Sequence, residues 1–123
     1  MKIAISSTGK NLESEIDTRF GRCPYFLIVE IENKEIKSVK AIENTAAGQR
    51  GEARITSAEI VAKEKVVAII TANLGPRAFS IFEQFEIKIY QGEGKIGDAV
   101  EKFIKRELME MKDSEGTGRE KSI

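Results

Sequence analysis

VVAIIT, residues 66–71, carries no polar side chain before its closing threonine and stands between Lys63-Glu64-Lys65 and the break at Ala72–Gly75. A short apolar run so bounded predicts a strand buried on both faces, and such a strand needs helices above and below it. Its neighbours supply them. On the amino side, from Glu52 to Lys65, Ile55, Ala58, Val61 and Ala62 fall at helical spacing. On the carboxyl side, Ala72-Asn73-Leu74-Gly75 leads to Pro76, suited to a first helical turn, and Ala78, Ile81, Phe82 and Phe85 repeat at i, i+3, i+4 and i+7. Farther out, EIKIYQ (86–91) alternates as a strand, GEG (92–94) breaks it, and Ile96, Val100, Phe103 and Ile104 mark a last helix. Toward the start, KIAIS (2–6) reads as a strand, and YFLIVEI (25–31) and IKSVKAI (36–42) flank a tight turn at residues 32–35. The predicted order is βββαβαβα.

That order limits the topology. The hairpin sets strand 2 antiparallel to strands 1 and 3, and the helical crossovers make strands 4 and 5 parallel to their predecessors. The short strand 1 and the apolar strand 4 belong at the centre, while the lysines and glutamates of strands 3 and 5 suit edges. The expected fold is therefore α/β, a three-layer α/β/α domain with a mixed five-stranded sheet of order 3-2-1-4-5. Right-handed crossovers put the first two helices on one face and the last on the other. One domain is expected over residues 1–110, and the polar, glycine-containing residues 111–123 read as a flexible tail.

Composition narrows the function. Lys and Arg total 20, as do Asp and Glu, so no net positive field draws nucleic acid or an anionic membrane, and neither is expected as a partner. With no His, both Ser/His/Asp and Cys/His catalysis are excluded, as are imidazole metal triads. The single Cys cannot close an internal disulfide, and MKIAIS lacks the apolar region of a signal peptide, so a cytoplasmic setting is expected.

In this topology the loops at Ser6–Gly9, Asn44–Gly51, Ala72–Gly75 and Gln91–Gly94 all follow co-directional strands, and the start of strand 2 returns to the same edge. Ligands of open α/β sheets bind at that edge. Arg19, Arg22, Arg50 and Arg77, with the N-termini of the first two helices, would favour an anion there. None of the loops matches a Walker or dinucleotide fingerprint. The arginines have a plainer reading too, as solvated side chains or partners of Asp17 and Glu15. Cys23, between Arg22 and Pro24, also has two readings. It is a small buried hydrophobe beside a strand start, or a thiolate favoured by neighbouring cations.

Residues 16–31, IDTRFGRCPYFLIVEI, resemble the signature of the dinitrogenase iron-molybdenum cofactor biosynthesis family, the nitrogenase accessory-factor group. Asn44–Ala53 sits where that family has a glycine- or histidine-rich loop, and TANLGPRAF (71–79) is similar to its Gly-Pro segment; the likeness spans about residues 1–108. The resemblance implies a ribonuclease-H-like fold and a non-catalytic role: binding, protecting or delivering iron-molybdenum cofactor or an iron-sulfur precursor. It implies a cofactor-binding set of Arg19, Gly21, Arg22, Cys23, Asn44, Gly48, Asn73 and Gly75, with Cys23 as the metal ligand. Cluster-assembly or acceptor proteins are the implied partners of a monomer or weak homodimer.

The departures are informative. Relatives with His at the position of Arg19, or in the loop at Thr45–Arg50, find no counterpart here. One thiolate falls short of the four a cluster commonly uses. The expected cargo is therefore an iron-sulfur or iron-molybdenum cluster held transiently, bringing its remaining ligands, or shared across a dimer. Two rivals stand beside this reading: a metal-free small-anion or protein-interaction module using the same edge, and a carboxylate-magnesium hydrolase, for which strands 1, 4 and 5 supply no carboxylate cluster.

Overall fold

The computed structural model describes residues 1–48 and 53–112. Its elements are β1 (Lys2–Ser7), a 3₁₀ turn (Phe20–Arg22), β2 (Tyr25–Glu32), β3 (Glu35–Glu43), α1 (Ala53–Ala62), β4 (Ala68–Thr71), α2 (Pro76–Gln84), β5 (Lys88–Gln91), α3 (Ile96–Ile104) and β6 (Met109–Glu110). They form one mixed sheet of order β3-β2-β1-β4-β5-β6. β1 pairs antiparallel with β2 and parallel with β4, which is parallel to β5.

Strand alternation divides the core. Ala4, Phe26, Ile28, Ile69 and Ile89 face Ala58 and Val61 of α1 and Ala78, Phe79 and Phe82 of α2. Their neighbours Ile3, Ile5, Leu27, Val29 and Ile70 face Ile96, Ala99 and Val100 of α3. Because successive strand residues point to opposite faces, each central strand serves both layers, which is why Ala68, Ile69 and Ile70 are all apolar; Val67, just ahead of β4, is exposed instead. The two-residue turn joining β2 to β3 has Asn33 at φ 52° and Lys34 at φ 64°. Positive φ at both central positions matches the twist of a hairpin.

Two expectations need correction. The sheet has six strands rather than five, because β6 pairs antiparallel with β5 through Tyr90–Glu110 and Gln91–Met109. β5 is consequently covered and not an edge. Residue 111, expected in the polar tail, is instead part of the core: the Met111 N–H donates to Ile89 O at 2.7 Å, and its side chain packs with the α2 layer. Residues 113–123 of that expected tail lie outside the described residues, as do Gln49–Glu52 with Arg50.

Candidate functional site

The carboxyl ends of β1 and β4 open onto a cleft of about 570 Å³. One wall is the loop Thr18–Arg22 with its 3₁₀ turn, and the other is Asn73, Gly75 and Pro76, where α2 begins. Ala53, the first residue of α1, contributes at one end. The walls are tied across by Asn73, whose Nδ2 donates to Thr18 O at 3.3 Å.

Its electrostatics come from two arginines and a helix end. Asp17 is 3 % exposed. Its carboxylate accepts three hydrogen bonds from Arg19: the backbone N–H at 2.9 Å, Nε at 3.1 Å and Nη2 at 3.0 Å. The hydrogen bond and then the charge of Asp17 raise the Arg19 pKa above its ordinary value. This clasp fixes the guanidinium plane at the mouth of the cleft while cancelling its formal charge. Of the partners considered for the arginines, Asp17 is the one used, and Glu15 instead makes a backbone bridge to Lys95. Arg22 is exposed, and its Nη1 donates to the Ala47 carbonyl at 3.4 Å, so its charge stays uncompensated by a carboxylate among the described residues. At the head of α2, Gly75 offers no capping side chain and Pro76 has no N–H. The next N–H groups, of Arg77 and Ala78, therefore carry the positive end of the helix dipole toward the cleft.

Cys23 lies beneath this surface rather than on it. It is fully buried, belongs to the α1/α2 core layer, and its Sγ–H donates to Phe20 O at 3.2 Å. Burial, joined by the charge of Asp17, pushes the Cys23 thiol up to about 12 against the opposing hydrogen bonds of Ser7 and Asn44, so the group is a protonated thiol at neutral pH. The expectation that arginines would favour the thiolate is corrected on that ground. Asn44, 3 % exposed, acts from below as well. Its Nδ2 donates to Cys23 O at 2.8 Å and to Gly21 O at 3.4 Å, while its Oδ1 accepts from Ala46 N–H at 3.1 Å and Ser57 Oγ at 3.1 Å. Ser57 Oγ also lies 3.3 Å from Gly21 O. One buried amide thus holds the 3₁₀ turn, the loop after β3 and α1 together.

Of the predicted site residues, Arg19, Gly21, Arg22, Asn73 and Gly75 line the cleft. Cys23 and Asn44 support it from the core, and Gly48 is exposed with open space around its Cα, outside the lining. Sequence reasoning missed Thr18, Phe20, Ala53 and Pro76 as lining residues and Ser57 as a support. Ser57, a small polar residue among the apolar positions of α1, was the available signal. Among the described residues no three Cys, Asp or Glu side chains gather as a metal site. The cleft can therefore offer guanidinium and amide donors to an anion, but no ligand set for a bare cation.

Comparison with known proteins gives the family and the fold. The family model described as "Dinitrogenase iron-molybdenum cofactor" matches residues 1–106. An uncharacterized protein of Methanocaldococcus jannaschii is 40% identical over 109 residues, covering 88% of this chain and 89% of its own. A second uncharacterized protein of that organism is 36% identical over 109 residues, covering 88% and 91%. Among solved structures, the apo form of the orange protein from Desulfovibrio gigas superposes with a TM-score of 0.84 at 25% identity, covering 91% of this chain and 93% of that one.

Proposed function

Since this chain belongs to the dinitrogenase iron-molybdenum cofactor family, we propose that it is a non-catalytic carrier of an anionic iron-molybdenum or iron-sulfur cluster, seated in the cleft between the Thr18–Arg22 loop and the head of α2. The observation that supports this most is the convergence on one cleft of the Arg19 and Arg22 guanidiniums with an uncapped helix N-terminus. The donor chemistry selects the kind of cargo. With a buried thiol and no carboxylate group in the lining among the described residues, those residues fit a cluster that arrives with its own sulfide or thiolate ligands, and they do not fit a naked metal ion. A cluster-assembly protein would load such a carrier and an acceptor would unload it.

The test is anaerobic incubation with a preassembled iron-sulfur cluster, desalting, and measurement of bound iron, sulfide and sulfur-to-iron charge-transfer absorbance. Native protein and Cys23→Ser should retain similar amounts, whereas Arg22→Glu, which reverses the uncompensated charge, should retain about tenfold less. Equal retention by Arg22→Glu moves the cargo elsewhere. Loss confined to Cys23→Ser in a protein that melts normally would mean that the turn opens and the sulfur ligates. Absence of uptake by the native protein, together with a retained organic anion, would favour the metal-free binding module.

A further inference from the structure

At the far end of β2 from the cleft, on the α3 face, lies a second cavity of about 640 Å³. Its apolar lining includes Tyr90, Phe103, Ile104 and Leu108, all half-buried and so left partly open by the fold. Tyr90 and Phe103 meet edge to face with centroids 5.2 Å apart, which fixes both rings.

Met1 lines the cavity with its terminal ammonium held by Ile31 O at 2.8 Å and Glu30 at 3.7 Å, and two cationic side chains join it, Lys34 and Arg106. Both are exposed, and among the described residues neither joins an ion pair. Both also occupy backbone positions where glycine costs least. Lys34 is the second central residue of the β2–β3 turn at φ 64°, and Arg106 sits at φ 63° just past α3. There Arg106 N–H bonds to Phe103 O and Glu107 N–H to Lys102 O, the pair of bonds that usually carries glycine at the left-handed position. Two long cations thus stand at left-handed positions beside one apolar cavity. Glu110 also lines it, leaning on Lys112 at 3.9 Å, and would repel a second negative charge.

We infer that this cavity is a binding site for an organic monoanion with an apolar body, the body against Tyr90, Phe103, Ile104 and Leu108 and the anionic head between Lys34 and Arg106. The volume lies in the range of small-molecule sites, and an apolar lining with a few charged groups is their usual make-up. The site is separate from the cargo cleft and does not rest on the carrier reading.

The test is a titration of isotopically labelled full-length protein with decanoate, followed by amide NMR, with decanol as the neutral control. Shifts should concentrate on residues 31–34, 90 and 103–108, and decanol should bind at least about fivefold more weakly. Lys34→Gly and Arg106→Gly each remove a cation where glycine relieves backbone strain, so both variants should fold with stability held or raised. Each should still bind decanoate several-fold more weakly, and the double variant about tenfold or more. Equal binding of decanol, unchanged affinity in the double variant, or shifts confined to the Arg22 cleft would overturn the assignment. So would sedimentation showing a dimer that buries this face and that decanoate does not displace.

Discussion

Replacing Asn44 with alanine should test the support of the cleft more sharply than any change in its lining. The amide makes its contacts in a site 3 % exposed, so water cannot substitute readily for what is lost. Removing it strips Cys23 O of a 2.8 Å donor and Ala46 N–H of a 3.1 Å acceptor, while Ser57 Oγ keeps Gly21 O at 3.3 Å. Two buried groups left without partners, at about 1–3 kcal/mol each, amount to a loss of roughly 2–6 kcal/mol. Urea denaturation followed by circular dichroism would read this directly. The midpoint should fall with the denaturant dependence unchanged, whereas Thr45→Ala, one residue away and exposed, should move stability by less than about 0.5 kcal/mol. A loss below about 1 kcal/mol for Asn44→Ala would refute the idea that this amide holds the turn, the loop and α1 together.

Other expectations concern the thiol, the cleft and the core. Burial raises the Cys23 pKa from its ordinary 9.0 to about 12. The folded state therefore binds this proton more tightly, and the associated stability is complete below pH 9 and lost as pH climbs toward 12, at up to about 1.4 kcal/mol per pH unit. Cys23→Ala should flatten that loss relative to native protein in urea melts at pH 8 and 10, and a native thiol that reacts at pH 8 at the rate of the urea-unfolded protein would contradict the burial. Gly75→Asp places a carboxylate at the head of α2 and should weaken cluster retention in a protein that still melts normally; unchanged retention would remove that helix end from the site. Gly92→Ala should cost about 1–3 kcal/mol, because the added carbon would lie 2.7 Å from Ile70 Cγ2 and 3.2 Å from Ile16 Cδ1. Met111→Ala should cost about 2–4 kcal/mol by emptying space beside Phe79 and Ile89, and a neutral result would return residue 111 to the tail.

The strands and helices that build the sheet were legible because each repeats its signal. β4 is apolar up to its closing Thr71, α2 announces itself with Gly75-Pro76, and residues 32–35 are short enough to force a hairpin. β6 was not legible. Two paired residues show no period, and Met109-Glu110-Met111 reads the same whether it docks or not; what decides is the open edge of β5, a partner distant in sequence. The cleft was legible as a place, since strand direction sets the approach to β2 and the loop after β4 at one edge, and Arg19, Gly21, Arg22, Asn73 and Gly75 were found there; Ser6–Gly9 and Gln91–Gly94, expected at the same edge, do not line it. The orientation of Cys23 was not. A residue two positions ahead of a strand start can turn either way, and here the 3₁₀ turn sets Phe20 O within 3.2 Å of its sulfur and directs it into the core. Asn44 was likewise visible as a loop residue, but its role needs Ser57 on a helix thirteen residues later.

The clasp of Asp17 on Arg19 bears on how a cargo would leave. That guanidinium is locked by its carboxylate and brings directed donors with little net charge, so the long-range pull of the cleft falls mainly to Arg22 and the head of α2, both open to water. On the proposed reading, a cluster seated there would break no bond to Cys23 sulfur on departure. Its release would then be an exchange of anions, quickened by salt, since exposed charges are screened over about 8–10 Å at physiological ionic strength. Residence time would then track the ionic composition of the surroundings, and a receiving site with thiolates of its own could draw the cluster across by offering the covalent ligation that this cleft withholds.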